Sequence, residues 1–274
     1  VALGQRGYAL TLVEATRELG GRVTREAKLP GLAEWARVKD ARITQLNKLA
    51  NVEVFYESEL SADDIREFDA DCVVLATGAH WRKDGVGRWH EEAIPGWDRA
   101  TVFTPDDVMR GESLSGSVVV FDDDHYYMGG VIAEKLCREG HAVTLVTPVG
   151  EVSSWAHKTN EQERIQGQLL ELGIRIETGT ALESIFEGGV EVSCAYTEEE
   201  REFEADSVVL VTSRRPDDRL YRELAGHSNL ARIGDCHTPG TIATSVYAGH
   251  RYARELDAGP LADVPFRREH IKFS

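Results

Sequence analysis

Three short segments carry residues suited to holding a dinucleotide. Leu12-Val13-Glu14-Ala15 puts an acidic side chain at the end of an apolar run, where a carboxylate can accept hydrogen bonds from ribose hydroxyls. Shortly after it, Leu19-Gly20-Gly21-Arg22 supplies a glycine pair for close backbone approach and a guanidinium able to neutralise pyrophosphate. The second segment, Val73-Val74-Leu75-Ala76-Thr77-Gly78, ends an apolar run at Ala76, Thr77 and Gly78, so the chain can pass tightly beside a cofactor. An ordinary strand with a glycine turn would look the same. In the third, Ala231-Arg232-Ile233-Gly234-Asp235-Cys236, Gly234 and Asp235 stand just before a helix starting near Thr241. There they can offer a carboxylate and backbone amides to a ribityl–phosphate chain, or simply open a turn. Arg42 falls in the middle of a helical apolar stripe made by Trp35, Val38, Leu46 and Leu49, so it must snorkel, pair with a carboxylate or meet a bound cofactor.

The elements that must position these residues alternate short buried strands with amphipathic helices. Strands are expected at Ala9–Val13, Val52–Phe55, Cys72–Ala76, Val118–Phe121, Val143–Val146, Ile174–Ile176, Val190–Tyr196 and Val208–Thr212. Several are apolar runs without period-two alternation, the pattern of parallel strands covered on both faces. Val190–Tyr196 and Arg201–Phe203 form an exposed hairpin instead. Asn160 with Glu163 suits a helix N-terminus, while Gly140 and Gly173 suit helix ends. The fold class is therefore α/β, with two nested doubly wound (Rossmann-like) domains, the second inserted in the first. The expected division is 1–112 plus 229–274 for the first domain and 113–228 for the insert. Residues Val1 to Gly7 resemble the last turn of a helix, so the first domain is expected to be truncated at its start.

Composition narrows the function classes. A net charge of −16 argues against a nucleic-acid partner, which needs a basic face, and weakly against anionic membranes. Cys72, Cys137, Cys194 and Cys236 are too far apart for a local iron–sulfur or zinc motif and give no disulfide framework. With no apolar run near membrane-span length and no signal peptide, a cytoplasmic location is the default expectation. His80, His90 and His157 lack sequence partners and are expected to be surface or structural residues.

The insert departs from a nicotinamide-binding unit at one loop. After Val118–Phe121, where Gly-x-Gly-x-x-Gly would cradle a pyrophosphate, the chain reads Asp122-Asp123-Asp124-His125-Tyr126-Tyr127-Met128-Gly129-Gly130. Each carboxylate 4 Å from a phosphate would cost on the order of 4 kcal/mol at an effective dielectric near 20. NAD(P) is therefore expected to be rejected. The three carboxylates with His125 could ligate a metal, but neighbouring side chains at a strand end point different ways, which favours a solvated or interface loop.

The three nucleotide-type segments, in this order, resemble flavoproteins built from two dinucleotide-binding domains. More narrowly, Gly31-Leu32-Ala33-Glu34-Trp35, Asp124-His125-Tyr126-Tyr127-Met128 and Val264-Pro265-Phe266-Arg267-Arg268-Glu269 resemble the C-terminal half of the trimethylamine and histamine dehydrogenase family. That resemblance implies FAD or ADP at Glu14, Gly20, Gly21, Arg22, Thr77, Gly78, Gly234 and Asp235. It also implies an N-terminal barrel outside this chain, holding FMN and an iron–sulfur cluster and oxidising an amine C–N bond. Electrons would leave to an electron-transfer protein, and the parent protein would be a homo-oligomer. No residue of this chain is then catalytic. Two rivals follow from the same resemblance: an FAD- and NAD(P)H-dependent reductase half like that of dienoyl-CoA reductase, and a non-catalytic docking module.

Overall fold

The structure is a computed structural model describing residues 1–68 and 70–258. The Val264–Glu269 segment lies outside the described residues. The architecture is mixed α/β, organised on a parallel sheet. Five parallel strands run in the order Val102–Phe103, Ser207–Val211, Ser117–Asp122, Ala142–Val146, Arg175–Glu177. The two central strands are buried on both faces, which is why their sequences lack alternation.

Alternate residues of those strands nonetheless serve different layers. Val118, Val120, Val209 and Val211 pack with Ile132 and Leu136 of the Met128–Arg138 helix and with Leu169 of the Gln162–Glu171 helix. Val119, Phe121, Val208 and Leu210 pack instead against Leu182, Ile185, Val190 and Val192. Those partners belong to a three-stranded antiparallel sheet of Thr180–Phe186, Gly189–Cys194 and Glu200–Glu204. Helices thus cover one face of the parallel sheet and a small sheet covers the other.

In sequence, that sheet is enclosed by a second set of strands. Leu10–Val13 pairs in parallel with Val52–Phe55, and Val73–Leu75 pairs in parallel with Leu230–Arg232. Ala79–Trp81 pairs antiparallel with Arg214–Pro216, the strand that follows the return from the five-stranded sheet. No strand bridges the two parallel pairs among the described residues, so Leu10–Val13 and Val73–Leu75 each keep a free edge. The five-stranded sheet already includes Val102–Phe103, ahead of residue 113. Thr104 caps the following helix, Pro105–Arg110, with a reciprocal Thr104–Asp107 capping box and a proline in its first turn.

One helix start differs from expectation. Asn160, with φ 58°, closes the preceding Ser154–Thr159 turn of 3-10 helix rather than capping the next helix, which begins after Glu161. Asn tolerates the left-handed region, and here that property outweighs its capping chemistry. Among the described residues no helix is long and apolar enough to cross a membrane.

Candidate functional site

Glu14, Ala76–Gly78 and Gly234–Asp235 all follow the carboxyl ends of parallel strands. Ligands of open α/β sheets gather at such strand ends. Glu14 Oε1 accepts from the Thr16 amide at 2.9 Å and the Thr16 hydroxyl at 2.8 Å, which orients the carboxylate and leaves its other oxygen outside this pair of bonds. Gly21 (φ 52°) and Gly78 (φ 86°) hold left-handed backbone, and a side chain at either would point into open space. Gly20 is needed for another reason: a Cβ there would collide with Lys39 and Thr24, so its close approach is to the protein. Ala76 and Thr77 are exposed, and the Thr77 hydroxyl donates to the Asp217 carbonyl.

Arg22 and Asp235, predicted as separate contacts, are brought together. Arg22 Nε lies 2.9 Å from Asp235 Oδ2, and its other nitrogens reach Glu26 at 2.9 Å and the Gly240 carbonyl at 2.8 Å. Arg214 donates to the same Asp235 oxygen at 3.0 Å and to the same Gly240 carbonyl at 2.8 Å. The remaining Asp235 oxygen accepts from the Gly240 amide at 3.1 Å and the Ser245 hydroxyl at 3.0 Å. Every strong acceptor position of this buried carboxylate is therefore used within the chain.

Glu26 is fully buried, and one of its carboxyl oxygens has no partner. Burial pushes its carboxyl above the usual range, opposed by the charges of Arg22 and Arg214. Arg42 stands apart from this group. Its guanidinium donates to the Val38 carbonyl of its own helix at 2.6 Å and lies near the Val1 amino group. Sequence reasoning missed Glu26 and Arg214 as members. Glu26 was findable as the i+4 partner of Arg22, whereas Arg214 required knowing where the returning strand docks.

The aspartate loop at the end of Ser117–Asp122 corrects an expectation. Asp122 and Asp123 are fully buried, so the loop is not solvated. Asp122 Oδ1 accepts from the amides of Asp124 at 3.2 Å and His125 at 3.1 Å, just before the Met128–Arg138 helix. A Cβ at Gly129 would overlap the Asp122 carboxyl. The carboxylate thus fills the crevice where a phosphate would sit in a dinucleotide-binding unit, and glycine at 129 makes room for it. Burial is the main cause of an Asp122 carboxyl pushed up to about 7, with the Asp124 charge adding to it. The simple repulsion argument is thereby replaced by a steric one. Asp123 turns the other way and accepts from the amides of Arg88 and Trp89, joining the insert to the 84–90 loop. Tyr127 is buried edge-on to Trp35 at 5.3 Å, and its hydroxyl, pushed up to about 12 chiefly by burial, donates to Glu161.

Residues 103–215 match the profile of the family described as the OYE-like second alpha/beta domain. Over 97% of its length the chain is 37% identical to dimethylamine dehydrogenase of Hyphomicrobium sp. (strain x), and it covers 41% of that protein. The solved histamine dehydrogenase from Rhizobium sp. 4-9 superposes on the whole chain with a TM-score of 0.96 at 43% identity, the match covering 44% of that chain. The chain is homologous to the C-terminal portion of dimethylamine and histamine dehydrogenases. The 6-hydroxypseudooxynicotine amine oxidase of Pseudomonas geniculata N1 is similar too, with a TM-score of 0.92 at 42% identity over 94% of this chain and 40% of its own. The chain thus spans about two fifths of the length of these amine-oxidising relatives.

Proposed function

We propose that this chain is the adenine-nucleotide-binding portion of a flavin-dependent amine dehydrogenase-like oxidoreductase. The observation that carries the reading is the placement of Glu14 after one parallel strand pair, and of Ala76–Gly78 and Gly234 after another, each at a carboxyl end. Glu14 would accept from ribose hydroxyls, and the open left-handed turns at Gly21 and Gly78 would let the backbone approach the nucleotide. Arg42 is given no part in this reading, since its guanidinium donates to the Val38 carbonyl of its own helix.

Between ADP and FAD, the saturation of Asp235 favours ADP. A flavin's ribityl chain needs an acceptor at this Gly-Asp turn, and both carboxyl oxygens already serve Arg22, Arg214, Gly240 and Ser245. The amine chemistry, with FMN and an iron–sulfur cluster, would belong to the barrel portion of the whole protein. That portion would pass electrons to a separate acceptor protein. The filled crevice at Asp122 counts against a reductase fed by NAD(P)H through the insert. We take the nucleotide-binding unit as 1–112 plus 229–274 and the insert as 113–228, with Val102–Phe103 of the first unit adding an edge strand to the insert's sheet.

Acid release and chromatography of the nucleotides held by the full-length protein test this reading. ADP in a one-to-one ratio with chain is expected beside FMN; stoichiometric FAD would overturn the ADP assignment, and no adenine nucleotide would overturn the site.

A further inference from the structure

The Arg22–Asp235–Arg214 group belongs to a closed ring of contacts. Arg22 and Arg25 lie on the same short helix, Arg22–Glu26, directly after the Gly20–Gly21 turn. From Arg22 the ring passes to Asp235 at 2.9 Å and on to Arg214 at 3.0 Å. The Arg214 guanidinium lies over the Trp81 ring, 5.5 Å from its centroid. The Trp81 amide donates to Asp106 at 2.9 Å, and Asp106 pairs with Arg25 at 3.4 Å, which returns to the starting helix. Asp106 sits in the Pro105–Arg110 helix leading into the insert, and Arg214 sits in the strand leaving it. Both crossings between the two units are therefore tied to one helix of the first unit.

The ring is mostly buried. Asp235 and Asp106 are nearly inaccessible, and Arg214 keeps only 12% of its side chain exposed. Two guanidinium groups share one carboxylate oxygen and one carbonyl, so movement of either acceptor is felt by both arginines. We propose that this ring is a mechanical coupling that makes the Gly20–Glu26 segment, the return strand at Arg214 and the Pro105–Arg110 helix at Asp106 move as one body. Every contact of the ring is between residues of this chain, and only the ADP arm of the test rests on the nucleotide reading of Glu14. Where a nucleotide binds, displacement of the Gly20–Gly21 turn reaches the return strand through Arg22 and Asp235.

Amide hydrogen exchange on the full-length protein decides it. Arg214→Gln is expected to speed exchange at residues 22–27 by about tenfold or more, far away in sequence, whereas Arg251→Gln, which breaks an exposed helix pair, leaves them unchanged. Arg214→Lys keeps the charge without the planar two-acceptor fork and is expected to give the same pattern more weakly, which covers the case of a glutamine variant that fails to fold. Acceleration confined to residues next to 214, or spread evenly through the Thr180–Glu204 sheet as well, would overturn the coupling. Adding ADP to the wild type is expected to protect the amides of residues 214 and 215, and the same addition to Arg22→Gln is not. ADP that binds by calorimetry without protecting them overturns the coupling alone. Absence of binding overturns the nucleotide reading, while the Arg214 variants still decide the coupling.

Discussion

Asp122 shows how one carboxyl can make stability depend on pH in an unusual direction. Its ordinary value is 3.8 and burial pushes it up to about 7 in the fold. At low pH both folded and unfolded chains hold the proton, and nothing is lost. As pH rises from about 4 to 7 the unfolded chain ionises while the fold keeps its proton, so this group's cost grows and is complete above 7. Asp122→Asn removes the titration while retaining the oxygen that accepts from Asp124 and His125. Thermal unfolding is expected to show a variant-minus-wild-type difference that rises from pH 5 to pH 8 by on the order of a few kcal/mol. A difference that stays flat would mean the carboxyl is ionised throughout. At the other strand end, Glu14→Ala is expected to weaken ADP binding by about 1–3 kcal/mol, measured by calorimetry on nucleotide-free full-length protein. Equal affinities for variant and wild type would move the ribose elsewhere. Residue types at these positions were legible in the sequence: a strand-end acid, a glycine pair, a Gly-Asp turn. Which of them would be consumed by internal pairing was not. The Asp235 carboxylate is spoken for only because Arg214 returns from an excursion of more than a hundred residues to lie beside Trp81.

Helices and strands tell a similar story of local rules overruled by neighbours. Two helical glycines make a clean contrast. Gly129, in the first turn of Met128–Arg138, has the Asp122 carboxyl where a Cβ would go, whereas Gly167, in the middle of Gln162–Glu171, has open space. Gly167→Ala is expected to stabilise the protein by about 0.5–1 kcal/mol through helix propensity and lower unfolded-state entropy. Gly129→Ala is expected to destabilise it by about 1–3 kcal/mol as the helix start is pushed off the carboxyl. Denaturant titration of both variants checks the opposite signs, and destabilisation by both would sink the distinction. Most parallel strands were legible from apolar runs, though the two-residue Val102–Phe103 was not. The hairpin of Gly189–Cys194 and Glu200–Glu204 was legible, but it is not exposed as expected, because Val190 and Val192 are fully buried against the parallel sheet. The hairpin's neighbour Thr180–Phe186 was not legible. Pairing skips Glu183 opposite Glu191 and Val192, so the buried Leu182 and Ile185 stand three residues apart on one face and the alternation that signals a strand is broken. Ala79–Trp81 and Arg214–Pro216, three residues each, are too short to leave any periodic trace.

For the whole molecule, the filled crevice at Asp122 and the bulk of Tyr127 and Met128 predict that NADH and NADPH do not bind the insert. Titration of the full-length protein with either cofactor, followed by flavin reduction and tryptophan fluorescence, is expected to show no saturable response. Micromolar binding that persists with ADP present would show that the loop opens. A different consequence follows from the split in the outer strands. Among the described residues, Leu10–Val13 and Val73–Leu75 each have one side without a strand partner, in parallel pairs whose strands are mostly half buried. Such edges are templates for chain-to-chain pairing, and proteins usually hide or charge them. Purified by itself, this chain is expected to self-associate through those edges despite a net charge of −16, which light scattering over a concentration series would register.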